Sequence, residues 1–274
     1  GGDRPALLQG KVLAMLFEKP SLRTRVTFEV GMLQLGGHAI YLGPSDVQMG
    51  SRESVADVAR NLERWVDGIM ARTFAHRTVE ELAEHAGVPV INGLSDLEHP
   101  CQTVADLLTI RERVGEVKGA RVAWVGDGNN VCHSLLLGAA KLGIRMSVAT
   151  PAVYAPDAKI VARAEEIARQ TGGSIAVGTD PQEAVRDAKV INTDVWVSMG
   201  QESERATKLK AFAGFQVNAD LVRRASRDVV VLHCLPAHRG EEITDDVLDG
   251  PHSAVFDQAE NRLHAQKALL AKLL

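Results

Sequence analysis

The residues best suited to chemistry in this chain stand in short polar clusters, each directly after an apolar run. The first cluster is Ser21-Leu22-Arg23-Thr24-Arg25, hydroxyls and guanidinium groups at the start of a helical pattern. Backbone N–H groups at a helix start lack intrahelical acceptors and the dipole there is positive. Ser21, Arg23 and Thr24 could therefore cradle a phosphate or carboxylate, or Ser21 could be a plain N-cap beside solvated arginines. Arg72 closes the run Gly68 to Arg72 and could aim its fork at such an anion or at a surface carboxylate. His99 and Gln102 stand three apart at another helix start. That spacing puts an imidazole N–H and an amide on one face, where both can donate to one carbonyl oxygen, unless His99 only caps the helix.

In the second half, Gly126-Asp127-Gly128-Asn129-Asn130 invites a dinucleotide-binding reading. The third glycine of G-x-G-x-x-G is absent, and the next apolar run ends at Ala149-Thr150-Pro151 without the acidic residue that would hold a ribose. Asn129 and Asn130 instead offer amides suited to a zwitterion, or form an ordinary turn. Asp194 ends another apolar run and precedes Ser198-Met199-Gly200, so its carboxylate could hold an ammonium group or cap a helix. Cys234 follows the apolar run Val229 to His233, where a free cysteine is more often inert core, and Asn261-Arg262 opens the last helix. The cysteines Cys101, Cys132 and Cys234 have neither a disulfide-framework nor a zinc-site spacing, and none of the 9 histidines forms H-x-x-x-H. No metal is expected.

Positioning these clusters calls for short strands alternating with amphipathic helices, and that pattern runs from end to end. It predicts an α/β fold of two doubly wound domains, each a mainly parallel sheet flanked by helices, with ligands beyond the carboxyl ends of the strands, in the cleft between the domains. Strands are expected at 12–17, 39–42, 68–72 and 88–92, then at 121–126, 145–150, 174–177, 190–193, 229–233 and 254–256. Helices are expected at 23–35, 55–65, 79–85 with Thr78 and Glu81 as a capping box, 103–113 behind Pro100, 131–142, 157–171, 181–188, 221–225 and 261–274. Residues 200–215 read as a long loop with one helix at most. The polar stretch Gly115 to Gly119 sets the expected boundary: domain one is 1–117 and domain two is 118–260.

With 274 residues, 45% hydrophobic and 24% charged, the composition is that of an ordinary folded chain. A formal net charge of -4 offers no basic field for nucleic acid or an anionic membrane, so an anionic ligand must be met by locally clustered charge. No apolar run reaches the roughly 18 residues of a membrane span, and the beginning lacks a signal-peptide layout, so a cytoplasmic protein is expected.

Taken in order, these clusters resemble the aspartate/ornithine carbamoyltransferase family over essentially the whole chain. Ser21-Leu22-Arg23-Thr24-Arg25 matches its S-T-R-T-R motif, His99-Pro100-Cys101-Gln102 its H-P-x-Q, and His233-Cys234-Leu235-Pro236 its H-C-L-P. Asp194 through Ser198-Met199-Gly200 is similar to the D-x-x-x-S-M-G loop of the ornithine-specific members. The resemblance implies carbamoyl transfer from carbamoyl phosphate to the δ-amine of L-ornithine, without metal or organic cofactor. Carbamoyl phosphate would be held by Ser21, Leu22, Arg23, Thr24, Arg72, His99, Gln102, Cys234, Leu235 and Arg262, with Gln48 reaching a neighbouring subunit's phosphate. Ornithine would be held by Asn130, Asp194, Ser198 and Met199, and the catalytic groups would be Arg72, His99, Asp194 and Cys234. A homotrimer or a multiple of trimers is implied, as is the packing of helix 261–274 back on domain one. Two departures stand out: Leu22 replaces a threonine, and the chain starts without the family's leading helix. Other readings are a carbamoyltransferase for aspartate, putrescine or N-acetylornithine, an NAD(P)-binding oxidoreductase, and a catalytically silent regulatory homologue.

Overall fold

A computed structural model of the chain describes residues 6–274; residues 1–5, the start of the first expected domain, lie outside the described residues. The chain forms two compact units. Unit 1 runs as far as Ala105 and resumes at Glu260–Leu274, and unit 2 is Asp106–Ala259.

Unit 1 holds β1 (Val12–Phe17), α1 (Leu22–Gln34), β2 (His38–Leu42), α2 (Pro44–Val47), α3 (Val55–Leu62), β3 (Gly68–Arg72), α4 (His76–His85), β4 (Val90–Leu94) and the first turns of α5 (Pro100–Val114). Its sheet is parallel in the order β2-β1-β3-β4. Side chains alternate across the sheet as a strand's period of two demands. Leu13, Met15 and Phe17 pack with Phe28 and Met32 of α1 and with Leu270, while Ala14 and Leu16 pack on the other face with Val58, Ala59 and Leu82.

Unit 2 continues with β5 (Arg121–Val125), α6 (Asn130–Lys141), β6 (Arg145–Ala149), α7 (Ala158–Thr171), β7 (Ser174–Gly178), α8 (Pro181–Ala184), β8 (Val190–Thr193), α9 (Arg205–Ala211), α10 (Ala219–Val222), β9 (Val230–His233), α11 (Asp245–Leu248) and the start of α12 (Val255–Leu273). Its parallel sheet has the order β7-β6-β5-β8-β9. Val122, Trp124 and Leu232 face one core and Ala123, Val125 and Val231 the other.

Each strand order reverses once, beside β1 and β3 in unit 1 and beside β5 and β8 in unit 2. Loops leaving neighbouring strands on opposite faces open a crevice there. The loop after β1 carries Ser21, the end of β3 carries Arg72, and the loops after β5 and β8 carry Asn129 and Asp194.

Two sequence expectations change, the strand at 254–256 and the capping box at Thr78. Residues 254–256 form no strand: Ser253 bridges Val231, the Ala254 N–H donates to the Val231 carbonyl at 3.0 Å, and α12 begins at Val255. The 200–215 stretch holds the one helix expected there, α9, behind a 3₁₀ turn at Glu202–Glu204. Helix α4 starts at His76 with Ala75 as its N-cap, so Thr78 lies inside the helix and forms no capping box. Helix α5 spans both compact units: Cys101 in its first turn joins the unit 1 core and Ile110 the unit 2 core.

Candidate active site

In unit 1, Ser21 caps α1, its Oγ accepting the Thr24 N–H at 3.3 Å, so the cap itself presents the first turn of N–H groups. The Leu22 side chain is 74% exposed, which leaves its backbone as the part turned to the helix end. Arg72 stands where the β3–β4 register slips between Ala71 and Arg72, a bulge that re-aims the side chain at the strand end. Gly93 makes the slip possible: a Cβ there would lie 2.4 Å from the Met70 sulfur.

Arg262 ties three helices of this unit together. Buried at 2% exposure, it donates through Nε to Gln266 Oε1 at 2.9 Å, through Nη1 to Gln102 Oε1 at 2.8 Å and through Nη2 to Thr24 Oγ1 at 3.3 Å. Because the Gln102 oxygen accepts from Arg262, the amide nitrogen is oriented the other way, as a donor. Gln266 in turn donates to Thr27 Oγ1 at 2.9 Å, and Thr27 to the Arg23 carbonyl at 2.6 Å. His99 is buried beside these groups. Desolvation holds its imidazole well below the usual 6.5, and the positive charges of Arg262, Arg72, Lys19 and Arg23 push the same way. Four cations thus act on one neutral ring, an arrangement that receives an anion without placing a further charge on the imidazole.

Gln48 belongs to another part of unit 1. It is the left-handed C-cap of α2 and lines a concavity of about 370 Å³ with Phe17, Glu18 and Phe74. Lys19, absent from the sequence reading, sits 4.9 Å from the Phe74 ring, and burial followed by the Arg72 charge lowers its pKa.

In unit 2, Asn129 caps α6, accepting the Val131 and Cys132 N–H groups at 3.0 and 3.1 Å, and Asn130 is the first helical residue. The Asn129 amide also donates to Asp194 Oδ2 at 2.8 Å, and the Cys234 thiol donates to Asp194 Oδ1 at 3.0 Å. Asp194, Cys234 and the α6 start therefore form one group; Asp194 does not cap a helix. Ser198 and Met199 follow in a turn, with Met199 exposed. Sequence reasoning missed the buried pair Lys208 and Asp127, 2.6 Å apart, in which burial raises the Asp127 carboxyl against the pull of the ammonium. The available signal was a lysine four residues before a core phenylalanine, Phe212, on the same helical face.

Gly128 does not meet a cofactor. A Cβ on it would lie 2.3 Å from the Pro156 nitrogen, so the chain's own Tyr154–Pro156 segment occupies the space this glycine opens. As for metals, Asp194, His233 and Cys234 bring ligand atoms within 4.8 Å of one another, as do His238, Glu241 and Glu242. In the first group the imidazole has no lone pair left. Nδ1 accepts the Leu235 N–H at 2.9 Å, so the proton is on Nε2, which donates to Glu242 Oε1 at 3.0 Å. In the second group Glu241 pairs with Arg205, and Glu242 Oε1 also accepts the His238 N–H at 2.6 Å.

Two family models match the chain: the carbamoyl-P binding domain of aspartate/ornithine carbamoyltransferases over residues 2–112, and their Asp/Orn binding domain over residues 118–273. The chain is 60% identical over 273 residues to the ornithine carbamoyltransferase of Pyrococcus horikoshii, covering 100% of this chain and 86% of that protein. The anabolic ornithine carbamoyltransferase of Pyrococcus furiosus is 59% identical over 273 residues, with 100% and 87% covered. A solved structure of ornithine carbamoyltransferase from Pyrococcus furiosus superposes with a TM-score of 0.96 at 58% identity, over 98% of this chain and 86% of that one.

Proposed function

The chain belongs to the aspartate/ornithine carbamoyltransferase family, and from that premise we infer that it transfers the carbamoyl group of carbamoyl phosphate to the δ-amine of L-ornithine, giving L-citrulline and phosphate. The observation that carries the reading is the set of cations acting on neutral, buried His99, which suits a small acyl phosphate, dianionic at one end and a carbonyl at the other.

Unit 1 holds carbamoyl phosphate. The α1 N–H groups of Leu22, Arg23 and Thr24, with the Ser21 hydroxyl and the Arg23 and Arg72 guanidinium groups, take the phosphate and stabilise the charge it gains on leaving. Arg72, the His99 N–H, the Gln102 amide and the Thr24 hydroxyl donate to the carbamoyl oxygen as the carbon turns tetrahedral. Arg262 holds Gln102 and Thr24 in position, and the Cys234–Leu235 turn takes the carbamoyl amide. Unit 2 holds ornithine: Asn130, Ser198 and Met199 take the α-amino and α-carboxylate groups.

An amine of pKa about 10 attacks only when deprotonated, so the site must select the minor, neutral form. Asp194, already fixed by Asn129 and the Cys234 thiol, accepts an N–H of that amine and turns the lone pair to the carbamoyl carbon. The new C–N bond forms, the C–O bond to phosphate breaks, and the surplus amine proton leaves with the phosphate. Because the mixed anhydride stores the energy, the transfer calls for no metal or organic cofactor. Gln48 completing a neighbouring subunit's phosphate site in a homotrimer, or a multiple of trimers, and a cytoplasmic location belong to the same proposal.

The test is incubation with carbamoyl phosphate and a panel of amines, scoring ureido product and released phosphate. Ornithine should be preferred by a wide margin over N-acetylornithine, putrescine and aspartate; equal use of another amine would reject the acceptor assignment.

A further inference from the structure

The turn that presents Ser198 and Met199 is fixed at both ends by buried groups. At its start, Trp196 stacks on Phe212 with ring centroids 5.4 Å apart, and Phe212 stacks on Tyr154 at 5.1 Å. At its end, Gln201 grips Ser198 twice: its N–H donates to the Ser198 carbonyl at 3.0 Å, and its Oε1 accepts the Ser198 N–H at 3.3 Å. That same Oε1 accepts from the Lys208 ammonium at 2.8 Å, and the ammonium donates to Asp127 Oδ2 at 2.6 Å and lies 5.1 Å from the Tyr154 ring. Lys208 is 2% exposed and Asp127 6%.

We propose that Lys208 is a positioning residue for acceptor binding: anchored on Asp127 after β5, its ammonium holds Gln201, and through Gln201 the Ser198–Met199 turn, in the shape that receives the amino-acid end of ornithine. This rests on the reading of Ser198 and Met199 as acceptor contacts. A lysine so deeply buried needs its charge matched, and Asp127 does that on the rigid side. The remaining donor is directed at the turn, where one hydrogen bond from a charged group fixes two backbone bonds of Ser198. Lys208 thus links the far end of the turn to the β5–α6 segment that carries Asn129 and Asn130, as the Asn129–Asp194 bond does at its near end.

The experiment compares wild type, Lys208→Met, Lys208→Arg and Gln201→Ala by steady-state kinetics, carbamoyl phosphate calorimetry and thermal melts. Losing a charged hydrogen bond that fixes the turn should raise the ornithine KM about tenfold in Lys208→Met, with carbamoyl phosphate affinity unchanged. Lys208→Arg should recover most of that loss. Gln201→Ala leaves the Lys208–Asp127 pair in place and should raise the ornithine KM by about threefold to tenfold with little change in melting temperature. It carries the test should Lys208→Met fail to fold. An ornithine KM within about twofold of wild type in Gln201→Ala, or in a folded Lys208→Met whose melting temperature alone has dropped, overturns the proposal. If the wild type makes no citrulline, the functional reading falls first and the proposal with it.

Discussion

Unit 1 surrounds one buried imidazole with Arg23, Arg72, Arg262 and Lys19, whereas the polar centre of unit 2 is a carboxylate, Asp194, held by a thiol and an amide. The two are also built differently. In unit 1, α1, α5 and α12 are cross-bonded through Arg262 and Gln266, with Arg72 added from the end of β3 and Lys19 from the loop after β1, and the unit 2 groups come from strand ends and one helix cap. In the proposed reaction the contrast follows from the two ligands. A leaving group that gains negative charge is met by fixed cations, which cost no reorganisation as the charge develops. A nucleophile that must be neutral gains nothing from a cationic wall; it needs an acceptor for its N–H and a turn shaped to the rest of the molecule.

That division can be broken at either side. Arg23→Ala should weaken carbamoyl phosphate binding by about a hundredfold or more, since it strips one partner from a desolvated ion contact. Calorimetry showing unchanged affinity would reject the cradle. Asp194→Asn should lower turnover with ornithine by about a hundredfold while carbamoyl phosphate still binds as in wild type, and equal losses in both would erase the distinction between the units.

Smaller effects sharpen the picture. His99 is neutral when folded, but the unfolded chain protonates it below its usual 6.5, so the unfolded state binds more protons there. Its contribution to stability is complete above that value and is lost as pH falls below it. Melting temperature should drop by about 2–4 °C for the first pH unit below this point, and His99→Gln should flatten that slope. The smallest change belongs to Leu22→Thr, which should alter carbamoyl phosphate affinity by less than about threefold, because at 74% exposure the position serves through its N–H.

The sequence made the strand ends legible because parallel strands are apolar runs and a polar residue interrupts them sharply: Arg72, Asp194 and Cys234 all stand at or near such breaks. The position of Ser21 as a cap was equally local. What stayed hidden depends on distant partners. Gln266 sits in a helix whose pattern says only which face is buried, and its bonds to Arg262 and Thr27 exist because α12 lies on α1. The Asn129–Asp194 bond joins residues 65 apart, and Lys208–Asp127 residues 81 apart, so no window along the chain contains either pair. The early start of α12 was obscured because Val255 and Phe256 suit a strand as well as a helix, and only the one-residue bridge at Val231 decides between them.

The tautomer of His233 has a consequence for the neighbouring thiol. Cysteines that react quickly at neutral pH have a base at hand to take the proton, most often an imidazole nitrogen. Here both ring nitrogens are committed, one to the Leu235 N–H and the other to Glu242, while the thiol proton is directed at the Asp194 carboxylate. Of the three cysteines only Cys234 is not fully buried, yet it should be alkylated slowly by iodoacetamide, as a protonated thiol rather than a thiolate. The polypeptide thus keeps a sulfur beside the Asp194 carboxylate as a hydrogen-bonding surface and denies it the means to become a nucleophile in its own right.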